Sequence, residues 1–413
     1  MNVGMVSTRF QGTDGVSLEA GKLADVLEEA GHSVVWFAGE LGRCFQPGIA
    51  HPLAHFKAQP VLRLTEAAFG KGAWSPASPE ALESLIAELK SALHRFVDEF
   101  RVDVLVAENV LCLPMHLPLG LAVAQLLAET GLPAVGHHHD FAWERARFRH
   151  TAVPHLLATT FPPALDNLRH MVIQTIAQGE LLRRRGLRSV VLPNVMDFER
   201  GSEPADGAAY RRAAKLGPRD LMLLQPTRVI PRKGIETTIQ LAYELADEHV
   251  KVVVSHEEGD EGTEYGDRLR AQAERLGVDL RFVRASADGA DDPGRPLLAD
   301  AYAAADLVSY PSRYEGFGNA LLEAFFYRRP VLVNRYPVYA RDIAPAGTRC
   351  IEIEDGELTG EAIKRVAACL ENPRGCADSI EANYQVGLAH FSYALIRERF
   401  LPLLPDRRFR GAR

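Results

Sequence analysis

The chain has 413 residues and a formal net charge of −7, with 47% hydrophobic and 24% charged residues. This length exceeds what one ordinary hydrophobic core accommodates, so two domains are expected, and the composition is that of a soluble globular protein. The acidic balance argues against bulk binding of nucleic acid, which needs a basic surface.

Targeting signals and cysteine pairs are not visible in the sequence. No apolar run reaches the roughly 20 residues that cross a bilayer, and no signal peptide precedes the first strand pattern. Contact with a membrane surface stays open, although no basic amphipathic helix supports it. Because the cysteines are scattered without a Cys-x-x-Cys pair, we expect a cytoplasmic protein with reduced thiols rather than disulfides or a zinc site. The five cysteines are Cys44, Cys112, Cys350, Cys369 and Cys376.

The N-terminal half alternates strand and helix patterns, as parallel α/β sheets do. Asp14 and Gly15 occupy the first turn, which either contacts a ligand or only reverses the chain. The Gly-x-Gly-x-x-Gly motif that binds nicotinamide dinucleotides is absent from this turn. Glu108 and Asn109 follow a strand at the edge where such sheets bind ligands. Strands are predicted at 3–7, 34–38, 102–107, 132–136, 171–174 and 189–192, helices at 16–30 and 78–100, and an irregular stretch at 39–76.

Three histidines at 137–139 follow the strand at 132–136, and Asp140 and Arg145 come next. A zinc site is not favoured, because adjacent side chains point in different directions and no second cluster of ligands is visible. The basic stretch at 145–150 indicates either an anionic acceptor or a solvated helix face.

The C-terminal half begins with a strand, a basic loop and a helix start. Arg228 and Lys233 lie in this loop, and Gly234 lets the chain turn tightly. In this pattern the two cations either serve a ligand or are simply solvated. Strands are predicted at 221–225, 251–255, 280–283 and 330–334, helices at 297–305 and as a pair from 361 to 402, an acidic insertion at 256–262, and a mobile arginine-rich tail at 406–413.

The stretch from 310 to 323 combines a strand end, a glycine loop and a helix start. Gly316 and Gly318 allow close approach of the backbone to a ligand, and the helix start suits a phosphate. Glu315 and Glu323 bracket the loop. Because a carboxylate would be repelled by a diphosphate, the two acids more reasonably accept hydrogen bonds from hydroxyls of a sugar or ribose, or are simply solvated.

The Glu-Gly-Phe-Gly run with a second Glu after it, seven residues lying between the two acids, resembles the signature of retaining glycosyltransferases of family 4. Arg228 with Lys233-Gly234 resembles a second element of that family, and Pro193-Asn194 resembles its crossover, although the glycine that follows there is missing. The resemblance implies a GT-B fold of two Rossmann-like parallel-sheet domains facing across a cleft. It places an acceptor-side domain at 1–195, a nucleotide-sugar donor domain at 196–385, and a C-terminal helix with tail at 386–413 that returns to the first domain.

The same resemblance implies the roles of the site residues. His139 would reach the reacting sugar and acceptor, with His137 as the alternative, and the two cations make a metal or other cofactor unnecessary. The implied catalytic residues are His139, Arg228, Lys233 and Glu315. The implied donor-binding residues are Gly15, Arg228, Lys233, Gly316, Phe317, Gly318, Asn319, Ala320, Leu321 and Glu323, of which 319–321 would give backbone N–H groups. The expected acceptor-binding residues are Asp14, His137, Asp140 and Arg145.

The expected function is transfer of a hexosyl group, with retention, from a nucleotide-diphosphate sugar of the GDP-mannose or UDP-glucose type. We expect a small anionic acceptor such as a glycerate or sugar-glycerate, and no nucleic-acid partner. Three alternatives remain: a transferase acting on a membrane lipid or polysaccharide precursor, a sugar-nucleotide epimerase of the same fold, and a non-catalytic protein that binds nucleotide sugars.

Overall fold

The computed structural model describes residues 1–12, 14–70, 72–256, 264–286 and 295–405. Its chain divides into two compact units: Met1–Pro193 with the segment that begins at Ala394, and Asn194–Tyr393. The acidic insertion from residue 257 onward and the tail at 406–413 lie outside the described residues.

The first unit is a parallel sheet in the order β3-β2-β1-β4-β5-β6-β7, with helices between the strands. Its strands are rich in buried aliphatic residues, as strands covered on both faces must be. The strands are β1 Asn2–Val6, β2 Ser33–Ala38, β3 Gly48–Ala50, β4 Val104–Glu108, β5 Ala134–His138, β6 Leu168–Val172 and β7 Ser189–Val191. The helices are α1 Gly15–Glu29, α2 Gln59–Phe69, α3 Ala77–Glu99, α4 Leu117–Thr130, α5 Pro154–Thr160 and α6 Thr175–Arg185.

The stretch at 39–76 was predicted to be irregular, but it contains β3 and α2. β3 is a three-residue edge strand, which is too short to show an alternating pattern. α2 has a proline in its first turn and buries only Val61, Leu64 and Ala68, so its apolar stripe is narrow. Short elements of this kind carry little periodic signal.

The second unit is also a parallel sheet, in the order β10-β9-β8-β11-β12-β13. Its strands are β8 Leu221–Gln225, β9 Val250–Val254, β10 Asp279–Phe282, β11 Leu307–Tyr310, β12 Val331–Asn334 and β13 Ile351–Ile353. Its helices are α7 Gly207–Ala213, α8 Ile235–Leu245, α9 Glu264–Leu276, α10 Leu298–Ala304, α11 Asn319–Phe326, α12 Gly360–Glu371 and α13 Ala377–His390. The last helix, α14 Tyr393–Arg399, belongs to the first unit from Ala394 onward.

The strand order of each sheet reverses at one place, between β1 and β4 in the first unit and between β8 and β11 in the second. Open parallel sheets bind ligands beyond the carboxyl ends of the strands at such a reversal, because the loops diverge there and leave a crevice. The two strand pairs therefore indicate where to look for functional residues in each unit.

The C-terminal region differs from the predicted helix pair at 361–402, because α12, α13 and α14 are three separate helices. The last of them packs on the first unit. Arg397 pairs with Glu29 at 2.9 Å, and the Arg399 guanidinium donates to the Val191 carbonyl at 3.0 Å.

The prediction that all cysteine thiols are reduced is wrong for one pair. Cys369 and Cys376 form a disulfide between the end of α12 and the following 3₁₀ turn, with their Cα atoms 5.8 Å apart. This separation lies within the range that a disulfide requires. Two cysteines seven positions apart match no recognised motif, so the pair could not be predicted from sequence. Cys44, Cys112 and Cys350 are free. Among the described helices, none combines the length and apolar character needed to cross a membrane.

Candidate active site

The loop after β8 is fixed by a buried glutamine at the end of that strand. The Gln225 side chain donates to the Lys233 carbonyl at 2.9 Å and accepts a hydrogen bond from the Thr238 hydroxyl. Gly234 has a φ of +65°, and a Cβ there would lie 2.7 Å from the Pro311 carbonyl oxygen, so only glycine fits. The loop is therefore held at both ends against the carboxyl edge of the sheet.

Lys233 is 8% exposed and its ammonium lies 2.5 Å from Glu315 Oε1, across the reversal between β8 and β11. Arg232 contacts the other carboxylate oxygen, Glu315 Oε2, at 3.1 Å. Burial raises the pKa of Glu315, but Lys233 and Arg232 outweigh burial and hold it below its usual value. Burial is the main reason that the pKa of Lys233 lies below its usual value, and the charges of Arg232 and Arg228 lower it further. Arg228 is exposed on the same loop. Three cations and one carboxylate thus share this edge.

The loops after β8 and β11 are also bonded to each other. The Arg313 N–H donates to the Arg232 carbonyl at 2.9 Å, and the Arg232 guanidinium donates to the Tyr314 carbonyl at 2.7 Å. The sequence analysis missed Arg232, although it precedes Lys233 in the same 3₁₀ turn. The side chains of Ser312 and Tyr310 also interact with the Glu315 carboxylate, so groups from both loops hold it in place.

The glycine loop after β11 is shaped by Tyr336. Its hydroxyl donates to the Phe317 carbonyl at 2.7 Å. Gly318 has a φ of +130°, and a Cβ there would lie 2.2 Å from the Tyr336 hydroxyl oxygen, so a side chain is excluded. Phe317 is buried and its ring packs on Phe391. Gly316 precedes this buried turn, and α11 begins directly after Gly318.

One predicted donor group in α11 needs correction. The N–H of Leu321 donates to the Gly318 carbonyl at 3.0 Å, so it belongs to the first turn of the helix and not to a ligand. Asn319 and Ala320 come before it, at helix positions whose N–H groups have no acceptor within the helix. The Asn319 side-chain oxygen accepts a hydrogen bond from the Asn194 amide, in the crossover segment.

Glu323 lies one turn inside α11, where Tyr302 of α10 orients it. The buried Tyr302 hydroxyl donates to Glu323 Oε2 at 2.6 Å, and its ring stacks on Tyr327. Burial, followed by the charge of Glu323, raises the pKa of Tyr302, so the phenol stays protonated and remains a donor. The sequence analysis missed Tyr302, because nothing in its local pattern points to a residue 21 positions away.

In the first unit, Glu108 ends β4 and is completely buried. Its Oε2 lies 3.0 Å from His137 Nδ1 and 3.2 Å from His139 Nε2. His138 points to the opposite face of the sheet and bonds His170 at 2.9 Å, as alternation along a strand requires. His137 is 2% exposed and faces Glu108, and its role in acceptor binding stays a prediction.

The charges of this cluster support one another. Burial raises the pKa of Glu108, but His137 and His139 outweigh it and lower that pKa to about 2. Burial lowers the pKa of His139, but Glu108 outweighs it and raises that pKa above its usual value. Asn109 has a φ of 61°, and its side-chain oxygen accepts the His139 N–H at 3.0 Å, which fixes the backbone at this position.

Glu108, His137 and His139 also form a possible set of metal ligands, because one ligand atom from each lies within 4.8 Å of the others. Glu108 could not be recognised as a ligand from sequence, because it lies 29 residues before His137. The β4–β5 register, which pairs Glu108 with His137, brings them together. A ligating histidine usually donates its other N–H to a partner, but His137 Nε2 has no hydrogen-bond partner among the described residues.

The turn after β1 lines a cavity of about 190 Å³ in the first unit, together with Glu108 and Asn109. Asp14 caps α1 by accepting from the N–H groups of Val16 and Ser17 at 3.1 Å, and Gly15 is the first residue of the helix. The Asp14 carboxylate also pairs with Arg9 at 2.9 Å. Asp14 is thus engaged in the fold while it lines the cavity.

The predicted acceptor residues Asp140 and Arg145 pair with each other at 2.6 Å. Arg147 lies over the ring of Phe148, with its guanidinium carbon 4.6 Å from the centroid. Arg145 and Asp140 both affect the pKa of Arg147, so these three groups lie near one another, and Asp140 neutralises part of their positive charge.

Replacing Glu108 by glutamine should reduce the free energy of unfolding most between about pH 4.5 and 6.5. Glu108 stabilises the fold above its ordinary pKa of 4.5, and that contribution is lost as the pH falls towards its folded pKa of about 2. His139 stabilises the fold below its ordinary pKa of 6.5, and that contribution is lost as the pH rises through its higher folded pKa. Chemical denaturation across this pH range, with the exposed Glu83→Gln as control, measures the difference; a difference independent of pH would contradict the pairing.

Comparison with known proteins places the chain among glycosyltransferases. The family model described as "Glycosyl transferases group 1" matches residues 208–386. The chain is 30% identical over 379 residues to a mannosylglucosylglycerate synthase of Petrotoga mobilis, covering 86% of each chain. It is 31% identical to a mannosylglucosylglycerate synthase of Thermotoga maritima, covering 95% of this chain and 97% of the relative.

A solved structure shows the same fold. Anabaena Alr3699/HepE, determined in complex with UDP and glucose, superposes with a TM-score of 0.68 at 17% identity, covering 96% of this chain and 97% of that one. The fold class is thereby confirmed as two Rossmann-like parallel-sheet domains of the GT-B type. Together with the relatives of similar length, the matched family shows that this chain belongs to the group 1 glycosyl transferases.

Proposed function

We propose that this glycosyltransferase moves a hexosyl group, with retention of configuration, from a nucleotide-diphosphate sugar to a hydroxyl of a sugar-glycerate. The observation that carries the proposal is the cationic edge of the second unit. Arg228, Arg232 and Lys233 lie there beside the start of α11, at the strand reversal where parallel sheets bind ligands.

The leaving group explains the charge of this edge. When the glycosidic bond breaks, a nucleoside diphosphate departs and gains negative charge, which preorganised cations and N–H groups stabilise. Arg228 is exposed and able to reach a ligand, whereas Lys233 is anchored by Glu315. We assign Arg228 and Lys233 to the diphosphate, Glu315 to the donor sugar, and Glu323 to the ribose.

Retention without a covalent enzyme intermediate is consistent with the carboxylates of the second unit. A double displacement needs a carboxylate nucleophile aimed at the sugar. Glu315 has an ion pair on each of its oxygens, and Glu323 is bonded to Tyr302. Neither is placed as an unencumbered nucleophile, so we propose front-face attack, in which a donor phosphate oxygen helps take the acceptor proton.

On the acceptor side we assign His139, with Glu108 as the positioning residue that fixes its tautomer and charge. The relatives' product contains a mannosyl, a glucosyl and a glycerate unit. One hexosyl transfer gives that product when a mannosyl donor meets glucosylglycerate. We therefore propose GDP-mannose as the preferred type of donor. UDP-glucose is the alternative, because Alr3699/HepE was solved with UDP and glucose.

The experiment that tests the function pairs GDP-mannose or UDP-glucose with glucosylglycerate and follows the products by NMR. We expect one disaccharide glycosidic bond of unchanged anomeric configuration and release of the nucleoside diphosphate only when the acceptor is present. A changed sugar without an acceptor would indicate an epimerase, and an inverted linkage would contradict retention.

Activity should survive dialysis against EDTA, because we propose that fixed cations stabilise the leaving group without a metal. Metal analysis of the dialysed protein and assays with added Mg²⁺, Mn²⁺ and Zn²⁺ check this. Activity that depends on a metal and disappears in a His137→Ala variant would contradict the proposal and would identify Glu108, His137 and His139 as its ligands.

A further inference from the structure

The first unit has a second opening beside the cavity that Asp14 and Glu108 line. It is a cleft of about 540 Å³ bordered by the segment that follows β2 and the segment that follows β3, and it includes Arg9 and Lys57. We infer that this cleft is the subsite for the anionic group of the acceptor, with Arg9 and Lys57 as the recognising cations. This inference rests on the proposed function and names where the acid end of its acceptor binds.

Two cations converge on one aromatic ring at this cleft. The Arg9 guanidinium carbon lies 5.7 Å, and the Lys57 ammonium 5.9 Å, from the centroid of the Phe56 ring. Arg9 shares its charge with Asp14 through a single 2.9 Å contact. Lys57 is exposed and has no carboxylate within ion-pair distance among the residues that the structure describes. Within the described part of the chain, Lys57 is therefore a cation without an ion-pair partner at this place.

The other titratable groups that line the cleft are His55 and Glu40, and Glu40 opposes the positive charge of Arg9 and Lys57. Burial is the main reason that the pKa of His55 lies below its ordinary value of 6.5, so its ring is neutral at pH 7. Glu40 is the carboxylate of the cleft, and it lies 3.4 Å from His55 Nε2. Arg9 offers five donors in a planar fork and uses one of them on Asp14, which leaves donors for a carboxylate or phosphate.

The cleft and the smaller cavity are connected through shared residues. Arg9 lines both of them, and Phe56 lines the smaller one. Both lie beyond the carboxyl ends of β1 and β2, which are neighbouring parallel strands, so they open at one edge of the sheet. A sugar-glycerate can thus place its sugar against Phe56 in the cavity beside Asn109 and its acid group between Arg9 and Lys57.

The test compares two acceptors that differ only in the acid group: glucosylglycerate, and glucosylglycerol, in which an alcohol replaces the carboxylate. With GDP-mannose as donor, Lys57→Met should raise KM for glucosylglycerate about tenfold, as expected for one charge-assisted hydrogen bond, and leave KM for glucosylglycerol within about twofold. kcat should change little with either acceptor. The matched control is Lys90→Met, a lysine of α3 that pairs with Glu129.

The phosphorylated form of glucosylglycerate distinguishes the two anions. If Lys57→Met weakens binding of the phosphorylated compound more than binding of glucosylglycerate, the subsite binds the phosphate. If it weakens both equally, the subsite binds the carboxylate. An equal change for the acid and the neutral acceptor, or none for either, overturns the inference. If no acceptor turns over, the proposed function fails, and calorimetric binding of glucosylglycerate to the wild type and to Lys57→Met still decides the subsite.

Discussion

Replacing Arg228 by alanine should lower kcat/KM for sugar transfer about 100- to 1,000-fold, the effect of removing one preorganised group that stabilises developing negative charge. Arg228 is exposed, whereas the neighbouring Lys233 is buried in an ion pair. Because Arg228 is exposed, the variant should still fold, and its thermal unfolding midpoint should fall less than that of a Lys233 variant.

The matched control for this variant is Lys364→Ala, which removes an exposed cation from α12 of the same unit. It should retain full activity. Initial rates at subsaturating donor, together with thermal unfolding, separate the two effects. A loss smaller than about threefold in Arg228→Ala would contradict its place at the leaving diphosphate.

Replacing Lys233 by methionine should reduce the free energy of unfolding by about 3 kcal/mol, because it leaves the buried Glu315 carboxylate with one cation instead of two. Glu315 is 6% exposed, and after the change Arg232, at 3.1 Å, would be its remaining ion-pair partner among the described residues. Chemical denaturation at pH 7 measures the loss.

The double variant Lys233→Met with Glu315→Leu separates stability from function. Removing both charges should restore most of the lost stability, since a buried ion pair replaced by apolar residues of similar volume is often close to neutral. Transferase activity should remain lost, because both groups are assigned to the donor. A double variant that is as unstable as the single one would contradict the ion pair, and one that regains activity would contradict the assignment to the donor.

The parts of the site that sequence predicted are those contained in single loops. Arg228, Lys233 and Gly234 lie within one strand–loop–helix element, and Glu315 and Glu323 lie within another. In each, the spacing of glycines and charges directly reflects the local turn. Alternation of apolar strands and helices likewise predicted the two parallel sheets, because each strand of such a sheet is a short buried run.

The parts that sequence missed depend on contacts across the sheet. Glu108 meets His139 only because β4 pairs with β5 in one register. Tyr302 reaches Glu323 from another helix. Cys369 and Cys376 face each other only because a 3₁₀ turn follows α12. No periodic pattern within a short window encodes such pairings, so they required the three-dimensional structure.

The first unit shows how the fold changed the choice of acceptor residues. From sequence, the basic stretch that begins at Arg145 indicated either an anionic acceptor or a solvated helix face. In the structure Arg145 is paired with Asp140, whereas Arg9 and Lys57, 48 residues apart in sequence, converge on Phe56. The proposed anion subsite therefore depends on which cations the fold brings together, which charge density along the chain does not reveal.

The central claim is that the cations after β8 hold the diphosphate of the donor. Calorimetric binding of GDP and GMP, and of UDP and UMP, to the wild type and to Arg228→Ala tests it most directly, because the members of each pair differ by one phosphate. We expect Arg228→Ala to weaken binding of the nucleoside diphosphate with the preferred base at least about tenfold, because a charge-assisted contact is lost. Binding of the corresponding monophosphate should weaken much less. Equal affinity of the wild type and the variant for the diphosphate would contradict it.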